Sequence, residues 1–156
     1  MTYRTQSEAD TTRFAMRLSP MLQAGDSVLL KGDLGAGKSV IARGIARGMG
    51  IAGAMPSPTF TLMVPYEGQA GRKLYHFDLY RLSDPDEYYA AGLDEYVGGD
   101  GVAVIEWPEM GDLSEETALT LTIRRGEGEA VREIEVESRG IAGFDPEAIA
   151  EWRVEG

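Results

Sequence analysis

At 156 residues, 43% hydrophobic and 26% charged, the chain is expected to form one domain over 1–156 that buries about two-thirds of its unfolded surface. No apolar run is long enough to span a bilayer, and Met1 to Asp10 lacks the apolar core of a secretory signal, so a cytoplasmic protein without membrane contact is expected. Zero cysteines and one histidine exclude disulfides and thiolate chemistry and argue against a histidine-built zinc site, while the net charge of −11 argues against strong direct tRNA binding by the chain alone.

Ser7-Glu-Ala-Asp10 resembles a capping box, and Phe14, Ala15, Leu18 and Leu22 follow at helical spacing, predicting an amphipathic helix that ends or kinks near Pro20. The apolar run Ser27 to Lys31 reads as a strand. A glycine-rich turn follows, then a helix marked by Ile41, Ala42, Ile45, Ala46 and Met49. Gly44 and Gly48 each weaken that helix by roughly 1 kcal/mol relative to alanine, which points to close packing on a neighbour. Arg43 and Arg47 share one of its faces, where solvated helix arginines are the commoner case than a basic patch. Met55 to Thr59 is proline-bearing loop, and Phe60 to Val64 is rich in strand formers. Lys73 to Asp78 alternates as a strand does and ends in a carboxylate. Ser83 or Asp84 can cap a short helix with Pro85 at its first position and Gly92 as its stop. Val102 to Ile105 has the continuous apolar character of a strand buried on both faces and ends at Glu106. Leu119 to Ile123 and Val131 to Val136 alternate around Gly126-Glu-Gly128 and form an antiparallel hairpin; a last helix starts at Asp145-Pro146. The pattern is α/β, a mixed sheet flanked by helices, of the P-loop NTPase kind with a C-terminal hairpin added.

Gly32 to Ser39 reads Gly-Asp-Leu-Gly-Ala-Gly-Lys-Ser, the spacing of a phosphate-binding loop between strand and helix. Each fixed position has a mechanical duty. Gly35, Ala36, Gly37, Lys38, Ser39 and Val40 offer backbone N–H groups and the helix start to a triphosphate, Lys38 neutralises its charge, and the Ser39 hydroxyl can ligate magnesium. GTPases normally read guanine with Asn-Lys-x-Asp, and its absence favours ATP.

Such a loop needs an acid at a neighbouring strand end to hold magnesium and a polar group to orient water. Glu106 has the placement of the metal acid, and Asp78 is the second strand-end carboxylate. Thr59, in a proline-rigid segment, has the place of a switch threonine closing over the γ-phosphate. His76 alternates with Asp78, but a lone histidine is more often structural than catalytic. Trp107 either stacks on a base or packs on the core, packing being commoner.

These motifs, together with Ser57-Pro-Thr-Phe-Thr-Leu62, Tyr75-His-Phe-Asp-Leu-Tyr-Arg81, Glu87 to Gly92 and Val104-Ile-Glu-Trp-Pro-Glu109, occur in the order that characterises the TsaE family, also called YjeE, so that the chain resembles that family from about Ser7 to Glu109. The resemblance implies an ATPase in the machinery that makes N6-threonylcarbamoyladenosine in tRNA. It implies action on the TsaB and TsaD pair, whose complex ATP hydrolysis would reset, rather than transfer chemistry of its own. It assigns Lys38 to phosphate, Ser39 and Glu106 to magnesium, Thr59 to the switch and Asp78 to hydrolysis or metal. It also makes Glu8 and Thr11 candidates for lining the nucleotide site. Ser39 departs from the family's commoner threonine but keeps the hydroxyl. A stand-alone small-molecule kinase and a nucleotide-gated interaction module are the alternatives. A kinase would need an acceptor-binding segment, usually rich in arginine, and here the arginines are scattered.

Overall fold

The computed structural model describes residues 1–51, 53, 55, 56, 58, 61–111 and 117–154. Seven strands form one sheet in the order β1-β7-β6-β2-β5-β4-β3: β1 (Thr2–Thr5), β2 (Ser27–Lys31), β3 (Met63–Glu67), β4 (Lys73–Asp78), β5 (Val102–Glu106), β6 (Ala118–Arg125) and β7 (Arg132–Arg139). The four central strands β6, β2, β5 and β4 run parallel, and antiparallel strands close both sides. The mixed α/β architecture and the antiparallel C-terminal hairpin are therefore as the sequence leads one to expect. β5 is buried along its whole length, as its unbroken apolar run requires.

Two eleven-residue helices, α1 (Glu8–Leu18) and α2 (Lys38–Gly48), cover one face of the sheet. The Ser7 hydroxyl accepts the Asp10 N–H at 3.0 Å, and the Asp10 carboxylate reaches back to the N–H of Gln6 at 3.0 Å, so both ends of the cap are satisfied. At its far end α1 passes into a 3-10 turn over Ser19–Met21, where Pro20 stands. Gly44 explains the close approach of the helices, because a Cβ there would stand 2.5 Å from that of Ala15. Phe14, Leu18, Ile41 and Ile45 fill the layer between helices and sheet. The opposite face carries Phe77, Leu79, Tyr88 and Ile105 beneath a thinner cover that includes α3 (Asp86–Ala90). Pro85 stands at the cap of α3, one position before the first helical one expected for it; Asp84, just ahead, accepts the N–H of Asp86, and Gly92 follows the end of the helix.

Three elements differ from expectation. β1 lies in a stretch to which the sequence assigns no element: four residues are too short for a clear pattern, yet Tyr3 and Thr5 are buried as the strand pairs with β7. The strand placed at Phe60 to Val64 begins instead at Met63, because Leu62, whose N–H bonds the Pro58 carbonyl, turns the chain with φ 65. Pro65 is tolerated within β3 because β3 is an edge strand. The expected last helix is a 3-10 segment, Pro146–Trp152, broken at Ile149. It is held by Trp152, which packs edge-on against Phe14 and donates its indole N–H to Asp10 at 2.9 Å.

Candidate functional site

The loop between β2 and α2 lies where parallel strands end, the position at which open α/β sheets bind ligands. Gly37 caps α2 with φ 113, a left-handed conformation that favours glycine, and so lets the chain turn from loop to helix while the helix N-terminus faces the cleft. Lys38 is buried and folds back on the loop, its Nζ donating to the carbonyls of Gly32 at 2.5 Å and Asp33 at 2.8 Å. Trp107, held at φ 59, stacks its ring 4.1 Å from the same Nζ and packs on Tyr80. Burial pushes the Lys38 ammonium below its ordinary range, with Glu106, Glu109, Asp33 and Asp78 pulling the other way.

The carboxylates come from adjacent strands. β4 and β5 pair in register with Asp78 opposite Glu106, which places both side chains at one end of one sheet face. Glu106 is 3% exposed and divides its two oxygens: Oε1 accepts the Ser39 hydroxyl at 3.1 Å, and Oε2 lies 2.6 Å from Nε2 of His76. Burial raises the Asp78 carboxyl above its ordinary range, while the Tyr80 N–H, bonded to it at 3.1 Å, opposes the shift. Lys38, Ser39, Asp78 and Glu106 share a cleft of about 520 Å³, with Arg81 in its wall. Ser39 and Glu106 form an all-oxygen donor set, with Asp78 beside it. The described residues contain no cluster of three or more acids or histidines able to cage a metal. The oxygen donors of Ser39 and Glu106 are of the kind that magnesium prefers.

A second hollow of about 440 Å³ adjoins the first and brings Glu8 and Thr11 together with Gly35, Gly37 and Val40. Thr11 is buried and its hydroxyl is committed to Thr5 and to the Ser7 carbonyl, whereas Glu8 is exposed. The far wall comes from the hairpin. Arg125 and Arg132 stand directly opposite each other at its tip; Arg132 Nε donates to the Ala36 carbonyl at 2.7 Å, and Arg125 reaches that of Gly35 at 3.4 Å. Like charges at paired strand positions repel, so their common aim at the loop is the feature to explain. The sequence does not single out either arginine, because only the strand order, with β6 beside β2, carries the hairpin tip to the loop. Their sole advance sign is two cations flanking a glycine turn. Thr59 lies outside the described residues.

Sheet, loop and strand-end acids together define the P-loop NTPase class of fold. Within that class the match is specific: the model of the family described as "Threonylcarbamoyl adenosine biosynthesis protein TsaE" covers residues 5–134. The chain belongs to the TsaE family. It is 40% identical over 122 residues to the tRNA threonylcarbamoyladenosine biosynthesis protein TsaE of Treponema pallidum, covering 77% of this chain and 88% of that protein. To the protein of the same name from Bacillus subtilis it is 38% identical over 133 residues, covering 85% and 82%. The crystal structure of Bacillus subtilis YdiB superposes with a TM-score of 0.74 at 30% identity, over 97% of this chain and 93% of that one.

Proposed function

We propose that the protein is the ATP-binding and ATP-hydrolysing component of the machinery that makes N6-threonylcarbamoyladenosine in tRNA, acting on the TsaB and TsaD proteins in the cytoplasm without carrying out the transfer. The observation that carries this reading is the 3.1 Å link between Ser39 and Glu106, which joins the phosphate loop to a strand-end acid in one cleft. The single seven-stranded sheet supports one domain over 1–156. Among the described residues no helix is long and apolar enough to cross a membrane.

In this reading the loop N–H groups and Lys38 receive the triphosphate, and Lys38 exchanges its two loop carbonyls for phosphate oxygens. Ser39 and Glu106 would hold magnesium, which would supply positive charge against that of the triphosphate. Asp78, raised by burial, orients the attacking water or supports the metal shell. The nucleoside occupies the hollow lined by Glu8, Thr11 and Val40. Thr59 closes over the γ-phosphate. Most ground-state affinity comes from the loop, and most rate from the acids and the switch.

The isolated chain is expected to hydrolyse ATP slowly, because a partner that completes the positive charge around the γ-phosphate contributes about 10³ to 10⁵ in rate in other P-loop enzymes. Steady-state phosphate release should rise when purified TsaB and TsaD are added, and the rise should vanish in Thr59→Ala. ATP should outcompete GTP. Rapid hydrolysis indifferent to the partners would overturn the reading, and ATP consumption proportional to a small acceptor would replace it with a kinase.

A further inference from the structure

His76 is 1% exposed, lies on β4 two residues before Asp78, and has one hydrogen-bond partner among the described residues, Glu106. The register of β4 and β5 explains the reach. Asp78 pairs with Glu106 and His76 with Val104, so the imidazole sits one pleat behind the acid on the same face and meets it diagonally. It has no place among the residues lining the cleft, which it adjoins only through Glu106.

We propose that His76 is a positioning residue for Glu106: its Nε2–H holds Oε2, so that Oε1 stays turned toward Ser39 and toward the divalent cation that those two oxygens would share. The inference rests on the magnesium reading given above.

Three observations carry it. First, the terminal torsion of a glutamate is broad, so burial alone does not decide which oxygen faces the cleft, whereas a 2.6 Å hydrogen bond to one of them does. Second, a buried carboxylate needs every available donor. The two donors here come from opposite sides, the loop hydroxyl in front and the imidazole behind, so loss of the rear donor frees the acid to turn. Third, Nδ1 of His76 has no partner among the described residues. With Nδ1 unpartnered, no competing hydrogen bond draws the ring away from Glu106. A residue serving the core alone would be apolar here. His76 places a polar ring at full burial for a single bond.

The test is calorimetric titration of the whole chain with ATP, in EDTA and across a magnesium series, for the wild type, His76→Asn and His76→Gln. The glutamine amide nitrogen can stand where Nε2 does; the asparagine amide falls short. In EDTA the three proteins should bind ATP alike. The magnesium concentration that half-restores tight binding should rise about 10- to 100-fold in His76→Asn, the usual effect of losing the group that orients a metal ligand, and return to within about threefold of wild type in His76→Gln. An unchanged magnesium midpoint in His76→Asn, or a His76→Gln midpoint displaced as far as that of His76→Asn, overturns the proposal and leaves the ATPase reading standing. A wild type without any magnesium effect overturns both. Should His76→Asn not fold, His76→Leu, which also lacks the donor, takes its place: a midpoint raised about tenfold or more beside a near-wild-type His76→Gln supports the proposal, and an unchanged one removes it.

Discussion

Glu106 and Asp78 stand at paired positions on neighbouring parallel strands, whereas Lys38 reaches their cleft from a helix N-terminus and Arg125 and Arg132 reach the adjoining phosphate loop from a hairpin tip. The acids are set by sheet register and, in Glu106, pinned by Ser39 in front and His76 behind. The cations are bonded to carbonyls of the loop itself, Lys38 to Gly32 and Asp33 and Arg132 to Ala36. One half of the site is built before a ligand arrives; the other holds its place with bonds that an anion can replace. Under the proposed function this difference would separate affinity from rate, with the exchangeable cations governing binding and the fixed acid pair governing turnover of the bound nucleotide.

The sharpest way to break this division is to remove the central cation. Lys38→Ala should weaken ATP binding about 30-fold or more, from the roughly 2–5 kcal/mol that truncating one member of a desolvated charge pair costs. Calorimetry checks it, and unchanged affinity would remove the loop from the site. On the acidic side, Asp78→Asn should lower phosphate release by on the order of 10² while ATP affinity stays close to wild type, because a positioned group of this kind acts on the transition state.

The hairpin cations should give smaller effects. Arg132→Ala is expected to reduce ATP affinity about tenfold, as loss of a hydrogen bond to a charged group does. Arg125→Ala should cost less, since Arg125 is exposed and its bond to the loop is 3.4 Å against 2.7 Å. Equal losses in both variants would mean that the arginines act as a general positive field and not through their contacts with the loop.

The smallest effect concerns stability. The folded Asp78 binds its proton more tightly than the unfolded chain does, because burial raises the carboxyl above its ordinary value of 3.8. The stability it contributes therefore falls as pH rises through the window between the ordinary and the raised value, and above that window its charge is a net cost. Asp78→Asn should raise the Tm at neutral pH, and the gain should fade as pH falls through that window. A gain that persists unchanged in acid would assign it to packing.

What was legible in the sequence follows the same division. The turn between strand and helix was readable outright because Gly37, Lys38 and Ser39 lie within one contiguous segment. Glu106 and Asp78 were readable as strand ends, since the apolar run before Glu106 and the alternation before Asp78 stop at them. Their pairing was not, because it depends on β4 lying beside β5. The same limit hid the bond from His76 to Glu106 and the aim of Arg125 and Arg132, both set by contacts between strands far apart in the chain. β1 escaped because four residues carry too little periodicity, and β3 was misplaced because a positive φ at Leu62 has no signature in a leucine. Gly44 and Gly48 did announce their packing, since each gives up helix stability for an approach that a Cβ would block.

The most direct single measurement pairs ATP affinity with phosphate release in Glu106→Ala. The expected result is a protein that still binds ATP, within about tenfold of wild type in EDTA, and releases phosphate no faster than background, because the loop supplies the binding and the acid supplies the charge for turnover. Hydrolysis at the wild-type rate, or affinity lost together with hydrolysis in the absence of metal, would contradict the separation of the two halves of the site.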